Sequence, residues 1–262
     1  MVTALTWRRR ALLGAAGLGI SGAAAELAHR LGPPEFRVLP SPSSVAVAAV
    51  QLAADAEFAM HVSATLAACG LGLHAAMIMA VPAGLLLGAL PGTERAVRPV
   101  IEFLRAIPSL VLIPLAWALL GDPSAAKTAL IAYSCSWPLL ITTLYGILET
   151  DPLAKDTLRA YGFSPLQVLI RVSLPSTAPH IATGFRLAIA VALIVSISVE
   201  VISGSSPGIG TYIVAAHSIG QPERALAATL AAGLLGLAAT ALCTAAEHRL
   251  FAWYRHTAGA SR

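Results

Sequence analysis

Long stretches without a charged side chain alternate with short charged stretches along this chain. Val62 to Thr93, Thr128 to Leu148 and Ala225 to Ala246 contain no Asp, Glu, Lys or Arg. About 20 consecutive apolar residues are enough for a helix to cross the roughly 30 Å hydrocarbon layer of a bilayer. The pattern therefore predicts membrane-spanning helices, the first of them running from about His61 to Leu90.

Two further stretches are predicted to span the membrane although they contain polar or helix-breaking residues. Ile101 to Gly121 includes Pro108 and Pro114, which predicts one kinked helix, because proline lacks a backbone N–H and clashes with the preceding turn. Ile181 to Ile202 is interrupted by one basic and one acidic residue. Together with the N-terminal hydrophobic segment, these stretches predict an all-α integral membrane protein of about six transmembrane helices.

The N-terminus combines a basic cluster with an apolar run. Trp7-Arg8-Arg9-Arg10 precedes an uncharged stretch from Ala11 to Ala25. This arrangement is typical of a cleaved export signal, including the twin-arginine kind, and also of a signal anchor that stays in the membrane. The anchor is favoured because the apolar character continues to Leu31. Gly17 to Gly22 matches Gly-x-Gly-x-x-Gly, but no strand precedes it, so a dinucleotide site is discarded.

The predicted organisation has four parts. They are a signal anchor or first transmembrane helix at residues 1–31, an extracytoplasmic segment at 32–60, a transmembrane domain at 61–255 and a tail at 256–262. In the second part, Pro33 to Pro42 is predicted to be extended and Ser44 to Phe58 to form an interfacial helix. After the fifth span, a glycine-rich turn from Gly204 to Gly210 precedes a short re-entrant or interfacial helix predicted at Thr211 to Gly220.

The stretch from Thr150 to Pro179 lies between two predicted spans and carries two successive helix-start signals. Asp151-Pro152 offers an N-cap followed by proline at the first helical position, and this helix is predicted to stop at Gly162 with positive φ. Ser164 to Gln167 repeats the start signal with a capping box. The second helix is predicted to end at Pro175. The result is a helix–turn–helix whose apolar side chains need a partner to cover them.

Composition narrows the possible functions. Of the 262 residues, 57% are hydrophobic and 11% charged, whereas soluble domains contain about 25% charged residues. The sequence has no Gly-x-x-x-x-Gly-Lys phosphate loop, no metal-ligand spacing and no Ser/His/Asp pattern. We therefore expect no catalytic residue, no metal site, no cofactor and no enzyme activity, and interpret Cys69, Cys135 and Cys243 as packing residues.

The basic residues predict the orientation in the membrane. With the N-terminus inside and six spans, most of the 17 Lys and Arg residues fall at the inner face, as the positive-inside rule requires. In this assignment Arg105 belongs to the inner face and Lys127 to the outer face. Both termini and the loop at 150–179 are then cytoplasmic. The net charge of +4 reflects this bias, and no nucleic-acid partner is expected.

Two motifs in the chain resemble ABC importer permeases. Asp156-Thr157-Leu158 with Gly162, followed by Leu174-Pro175, is similar to the cytoplasmic loop of that family, although the family pattern begins Glu-Ala-Ala. Leu104 to Pro108, followed by Pro114-Leu115, resembles the nitrate, sulfonate, taurine and bicarbonate branch. The chain departs from that branch after the third span, where the usual Trp-Phe-Gly-x-Gly is replaced. The resemblance covers roughly Val62 to Tyr254.

The resemblance implies a permease subunit of an ATP-driven importer in the bacterial inner membrane. The implied solute is small and anionic or zwitterionic, of the sulfonate, taurine, nitrate or bicarbonate class. The implied partners are a dimer of a cytoplasmic ABC ATPase subunit, an extracytoplasmic substrate-binding protein, a second permease copy and the lipid bilayer. A stand-alone secondary transporter or channel is the alternative; it would carry intramembrane ionisable relays or inverted repeats, which the sequence does not display.

Two sets of candidate site residues follow. The resemblance implies an ATPase-coupling loop made of Asp156, Thr157, Leu158, Arg159, Gly162, Ser164, Leu174 and Pro175. A translocation path or gate is expected to involve Pro108, Ser109, Pro114, Arg186 and Glu200. A simpler interpretation stays open, in which the prolines only kink a helix, Arg186 snorkels to the headgroups and Glu200 accepts backbone hydrogen bonds from Gly204-Ser205. Arg186 and Glu200 are about 21 Å apart along one helix, so they cannot pair with each other.

Overall fold

The long apolar stretches form helices in the computed structural model, which describes residues 7–32, 39–90 and 92–251. Within these ranges every regular element is helical, because backbone groups in a bilayer have no water to bind and a helix satisfies them internally. The expectations for Pro33 and for the tail at 256–262 lie outside the described residues. The helices are α1 (Trp7–Leu31), α2 (Pro42–Ala53), α3 (Ala56–Ala89), α4 (Thr93–Arg105), α5 (Ile113–Leu120), α6 (Pro123–Leu148), α7 (Pro152–Ala160), α8 (Pro165–Ser203), α9 (Ile209–Ser218) and α10 (Pro222–Leu250).

Four of these helices are long and apolar enough to cross a membrane: α3, α6, α8 and α10. The pair formed by α4 and the segment Ser109–Leu120 meets the same criterion as one span that is broken by a 75° bend. The described residues therefore contain four or five candidate spans. The all-α membrane architecture is confirmed, and the N-terminal span at α1 stays a prediction.

The chain divides into two compact units. The first comprises Met1–Ala59 and Tyr212–Ala231. In it, the carboxylate of Glu26 on α1 accepts hydrogen bonds from the backbone N–H and the hydroxyl of Ser43 on α2, both at 3.1 Å. The rings of Phe58 and Tyr212 meet edge to face at 5.1 Å.

The second unit comprises Met60–Thr211 and Ala232–Arg262 and contains the main hydrophobic core. One face of α3 consists of small residues four apart: Gly72, Ala76, Ala80, Gly84 and Gly88. A Cβ at each of these three glycines would lie within 3 Å of a side chain of α6. Small residues at this spacing let two helix backbones approach closely. The resulting van der Waals packing stabilises the helix pair in lipid, where the hydrophobic effect does not favour association.

The same principle joins α6 to α8. Gly184 of α8 lies against Thr142 of α6, whose hydroxyl occupies the space that a Cβ would need. Gly146 of α6 lies similarly close to Thr177 and His180 of α8. Three helices are thus held by close backbone contact, with α6 in the middle.

Two predicted helix boundaries are wrong. The interfacial helix expected at Ser44–Phe58 ends at Ala53, because Asp55 starts a new helix by accepting a hydrogen bond from the N–H of Glu57 at 2.9 Å. The second loop helix does not end at Pro175. It continues to Ser203 after a π-helical segment at Leu169–Ser173. The wider π turn accommodates a proline that has no N–H to donate.

The third span also differs from the single kinked helix expected at Ile101–Gly121. Helix α4 ends at Arg105, and Pro108 precedes a short 3₁₀ turn at Ser109–Leu112. Pro114 lies in the first turn of α5. Proline disfavours the helical conformation in the residue before it, so the chain leaves the helix at Pro108 and starts again in a new direction.

Candidate functional site

The loop between α6 and α8 starts its two helices at the residues that the sequence predicts. The Asp151 side chain caps α7 by accepting from the N–H of Leu153 at 2.9 Å. Ser164 and Gln167 form the expected capping box, in which each side chain accepts from the other residue's backbone N–H. Both helix starts are therefore confirmed.

Gly162 ends α7 with a φ of +84°. Its N–H donates to the carbonyl of Arg159, and the N–H of Phe163 donates to the carbonyl of Leu158. This pair of bonds is a Schellman motif, which needs a left-handed residue at that position. No atom lies within 4 Å of the place where a Cβ would be built at Gly162, so φ alone restricts the residue type there.

The loop exposes several large apolar side chains. Tyr161 is 79% exposed, Leu153 72%, Leu166 63% and Ile170 54%. Arg171 lies over the ring of Phe163 at 5.0 Å from its centroid, where a cation–π contact holds the turn. The exposed apolar surface of the expected helix–turn–helix is therefore present in the folded chain.

The remaining loop residues have local roles. Asp156 and Arg159 form an exposed ion pair at 3.0 Å, and the Thr157 hydroxyl donates to the carbonyl of Leu153. The Lys155 ammonium donates to the carbonyl of Ile147 at 2.9 Å. Burial and, secondarily, the charge of Arg159 lower the pKa of Lys155 below its ordinary value. These contacts fix α7 against the end of α6.

The second loop helix and the fifth span are one continuous helix. Leu174 and Pro175 lie in the first turn after the π-helical segment, where the sequence predicts a helix end. Val168 is 3% exposed and Ser173 4%. Because this helix is unbroken from Pro165 to Ser203, a displacement of the loop surface moves the span with it.

A buried ion pair lies at the other end of α8. Glu200 is fully buried, and its Oε1 lies 3.1 Å from Nζ of Lys127, which is 3% exposed. The carboxylate also accepts hydrogen bonds from the hydroxyls of Thr65 and Ser196 and from the N–H of Gly210. A buried ion pair is tolerated only when its remaining hydrogen-bonding capacity is satisfied in this way.

Two glycines after α8 make room for this carboxylate. A Cβ on Gly208 would overlap the carboxylate of Glu200, and one on Gly210 would lie 2.5 Å from the carbonyl of Ile197. Lys127 also donates to the carbonyl of Pro207 at 3.2 Å. The ion pair therefore joins α3, α6 and α8 to the turn that leads into α9.

The side-chain partners of Glu200 differ from those that the simpler interpretation expects. The simpler interpretation expects Gly204 and Ser205 to donate to the Glu200 side chain. This expectation is wrong, because the N–H of Gly204 donates to the main-chain carbonyl of Glu200 instead. The charge pattern assigns Lys127 to the outer face, whereas the structure buries it within α6. The sequence signal for this ion pair is a single lysine in the second turn of α6 together with a single glutamate near the end of α8.

Arg186 has a separate partner. Its guanidinium lies 3.2 Å from the carboxylate of Glu247 on α10. The simpler interpretation places Arg186 at the headgroups, and the ion pair gives it a fixed protein partner instead. Arg186 and Glu200 therefore have different ion-pair partners, and a translocation path that involves them with Pro108, Ser109 and Pro114 stays a prediction.

Comparisons with known proteins agree with this architecture. Residues 80–252 match the model of the family described as "Binding-protein-dependent transport system inner membrane component". The chain is similar to the nitrate import permease protein NrtB of Leptolyngbya laminosa, with 29% identity over 70% of this chain and 65% of that protein. It is also 31% identical to the putative aliphatic sulfonates transport permease protein SsuC of Escherichia coli, over 87% of this chain and 86% of that one.

The fold also has a counterpart among solved structures. A chain of the inward-facing MetNI methionine ABC transporter superposes with a TM-score of 0.62 and 18% identity, over 72% of this chain and 92% of that chain. The likeness at this identity concerns the fold. The match to NrtB spans slightly less than two thirds of that relative's length.

Proposed function

Because this chain belongs to the family of binding-protein-dependent transport system inner membrane components, we propose that it is the permease subunit of an ATP-driven importer. The subunit provides the membrane path, and ATP is hydrolysed on a separate partner chain. A second permease copy completes the path. The solute is delivered by an extracytoplasmic binding protein.

One observation carries the proposal: the apolar surface of the loop is built on the end of a membrane-spanning helix. Leu166 and Ile170 are exposed four residues apart on α8, so they lie on the same face. An apolar helix face of this kind fits a hydrophobic groove on a partner. The ATPase is the partner of suitable chemistry, provided that the loop is cytoplasmic as the positive-inside rule predicts.

The proposed coupling is mechanical. Gly162 sets the angle between α7 and α8 through its left-handed backbone. ATPase closure pushes on the loop, and the uninterrupted α8 transmits the displacement to the core of the membrane domain. The closely packed glycine contacts of α6 with α3 and α8 let the three helices move together, since packed interfaces shift between discrete arrangements.

The proposed solute is a small anion or zwitterion. This class follows from the similarity to a nitrate import permease and a putative aliphatic sulfonates permease. Selection among such solutes takes place mainly on the binding protein.

The experiment is purification of the tagged chain with identification of the associated ABC ATPase, followed by reconstitution in proteoliposomes with the binding protein. Uptake of a sulfonate or nitrate that requires internal ATP is the expected result. Uptake driven by an ion gradient without ATP would overturn the proposal in favour of a stand-alone secondary transporter.

A matched pair of variants tests the docking surface. Leu166→Ala combined with Ile170→Ala removes exposed apolar area from the loop and should abolish ATPase association while membrane insertion stays normal. Leu120→Ala removes a comparable exposed side chain at the end of α5 and should leave the association unchanged. Equal ATPase capture by both variants would contradict the docking role of the loop.

A further inference from the structure

The C-terminal end of α4 lies beside the middle part of α6. The hydroxyl of Tyr133 on α6 donates to the carbonyl of Leu104 on α4 at 2.5 Å. Helix α6 is about 39 Å long, and Tyr133 lies about 15 Å from its start at Pro123, at 1.5 Å per residue. If α6 is centred in a hydrocarbon layer about 30 Å thick, the backbone of the neighbouring Arg105 lies inside that layer.

A groove with a charged wall runs between α4 and α6. Its wall on α4 carries charged residues at one helical face, and its wall on α6 is aromatic and apolar. The groove is lined by Glu94, Arg98, Ile101, Glu102 and Arg105 on one side and by Trp137, Pro138, Ile141, Leu144 and Tyr145 on the other. It extends from the end of α6 to the middle of that helix.

The charged side chains of this groove form an ion pair at one end and have no ion-pair partner at the other. Near the start of α4, Arg98 pairs with Glu94 at 2.9 Å. Nearer the C-terminal end of α4, Glu102 and Arg105 are exposed, and neither has an ion-pair partner among the residues that the structure describes. An arginine keeps its charge in a protein, and an arginine at the centre of a bilayer costs roughly 2.5–3.5 kcal/mol or more. Arginines at this depth therefore face a bundle interior or a water-filled cavity.

We propose that Arg105 faces the translocation path and contacts the oxyanion group of the passing solute, with Glu102 beside it. This inference rests on the proposed function and names a residue for it. The planar guanidinium provides paired donors for a carboxylate, sulfonate or nitrate group. Glu102 keeps the net charge of the pair at zero, so the solute is attracted and also released, as conduction requires.

The path assignment is tested by water accessibility, which does not depend on transport. In a background with Cys69, Cys135 and Cys243 replaced by alanine, Arg105→Cys should react with a charged, membrane-impermeant thiol reagent at a rate within about tenfold of Arg95→Cys at the exposed start of α4. Ile78→Cys, an exposed apolar position in α3, should stay unmodified. Failure of the Arg105→Cys variant to react would overturn the assignment.

The solute contact is tested in the reconstituted transporter. Arg105→Gln should lower uptake per ATP hydrolysed by about tenfold or more with ATPase association intact, because a charge-assisted contact to the solute is lost. Arg105→Lys should restore part of the uptake, and Arg95→Gln, which removes an equal charge outside the groove, should transport normally. Normal uptake by Arg105→Gln would overturn the contact. If no ATP-driven uptake occurs with the unchanged chain while the Arg105→Cys variant still reacts, the proposed function fails and the path assignment stands.

Discussion

Nζ of Lys127 lies 3.1 Å from Oε1 of Glu200, although the two residues belong to different helices and both side chains are buried. The pair connects α6 to the end of α8, and the hydroxyl of Thr65 adds α3 to the same carboxylate. The start of α9 is bound to the pair through the N–H of Gly210. One buried carboxylate therefore holds four segments in register.

Removing one partner of this pair should destabilise the protein strongly. Lys127→Met leaves the carboxylate of Glu200 buried without a counter-charge, which typically costs about 3–5 kcal/mol. We expect a lower yield of folded protein and a lower midpoint of thermal unfolding in detergent. The double variant Lys127→Met with Glu200→Gln removes both charges and should recover part of the loss. A double variant no more stable than Lys127→Met alone would contradict the ion-pair explanation.

Gly208 should not tolerate a side chain. A Cβ there would overlap the carboxylate of Glu200, so Gly208→Ala must displace the carboxylate from its donors, at a cost of about 1–3 kcal/mol for overpacking. Thermal unfolding followed by size-exclusion chromatography measures the effect. Gly233→Ala is the control, because no atom lies within 4 Å of its Cβ position. Equal stability of the two variants would show that the carboxylate has room to move.

Gly162 should be sensitive to backbone preference and insensitive to side-chain volume. Gly162→Val costs about 1–2 kcal/mol locally, because a β-branched residue resists the left-handed conformation. We expect normal membrane insertion with loss of ATPase association or of ATP hydrolysis stimulated by loaded binding protein. Gly162→Asn, which accepts positive φ, should retain both. If the valine variant assembles and transports normally, the loop is not the coupling element.

Pro108 should control the bend of the third span. Pro108→Ala removes the constraint on the preceding residue, so the helix can extend past Arg105 and relax the 75° bend. Transport should change while insertion and assembly stay normal, as measured by uptake and by the amount of complex purified. Pro99→Ala, within α4, is the matched proline control. Normal transport by both Pro108→Ala and Glu200→Gln would favour the interpretation that these residues only shape the helices.

Single cysteines test the predicted orientation in the membrane. In the cysteine-free background, Thr93→Cys and Lys155→Cys should react only from the cytoplasmic side, and Ser205→Cys only from outside. Ser205 is chosen because it is exposed, whereas the neighbouring Ser206 is 3% exposed. Labelling of the Lys155→Cys variant from the outside of intact cells would reverse the topology.

The sequence alone determines those features of this protein that depend on residues near each other in the chain. The apolar runs predict the helices α3, α6, α8 and α10, since an apolar stretch of that length has no other stable conformation in lipid. The caps at Asp151, Ser164 and Gly162 are predicted correctly because each involves hydrogen bonds over a few residues. The small-residue spacing along α3 is also present in the sequence, as a pattern that favours close helix contact.

The tertiary structure decides which distant residues meet. The pairing of Lys127 with Glu200, and the position of Arg105 beside α6, depend on how α4, α6 and α8 are placed against one another, and no local pattern determines that placement. The continuity of α8 through Pro175 is decided in the same way, because a π-helical turn accommodates the proline and packing supports it on both sides. Charge burial depends on the complete set of surrounding donors, so only the assembled helices reveal which charges are paired and which stay exposed.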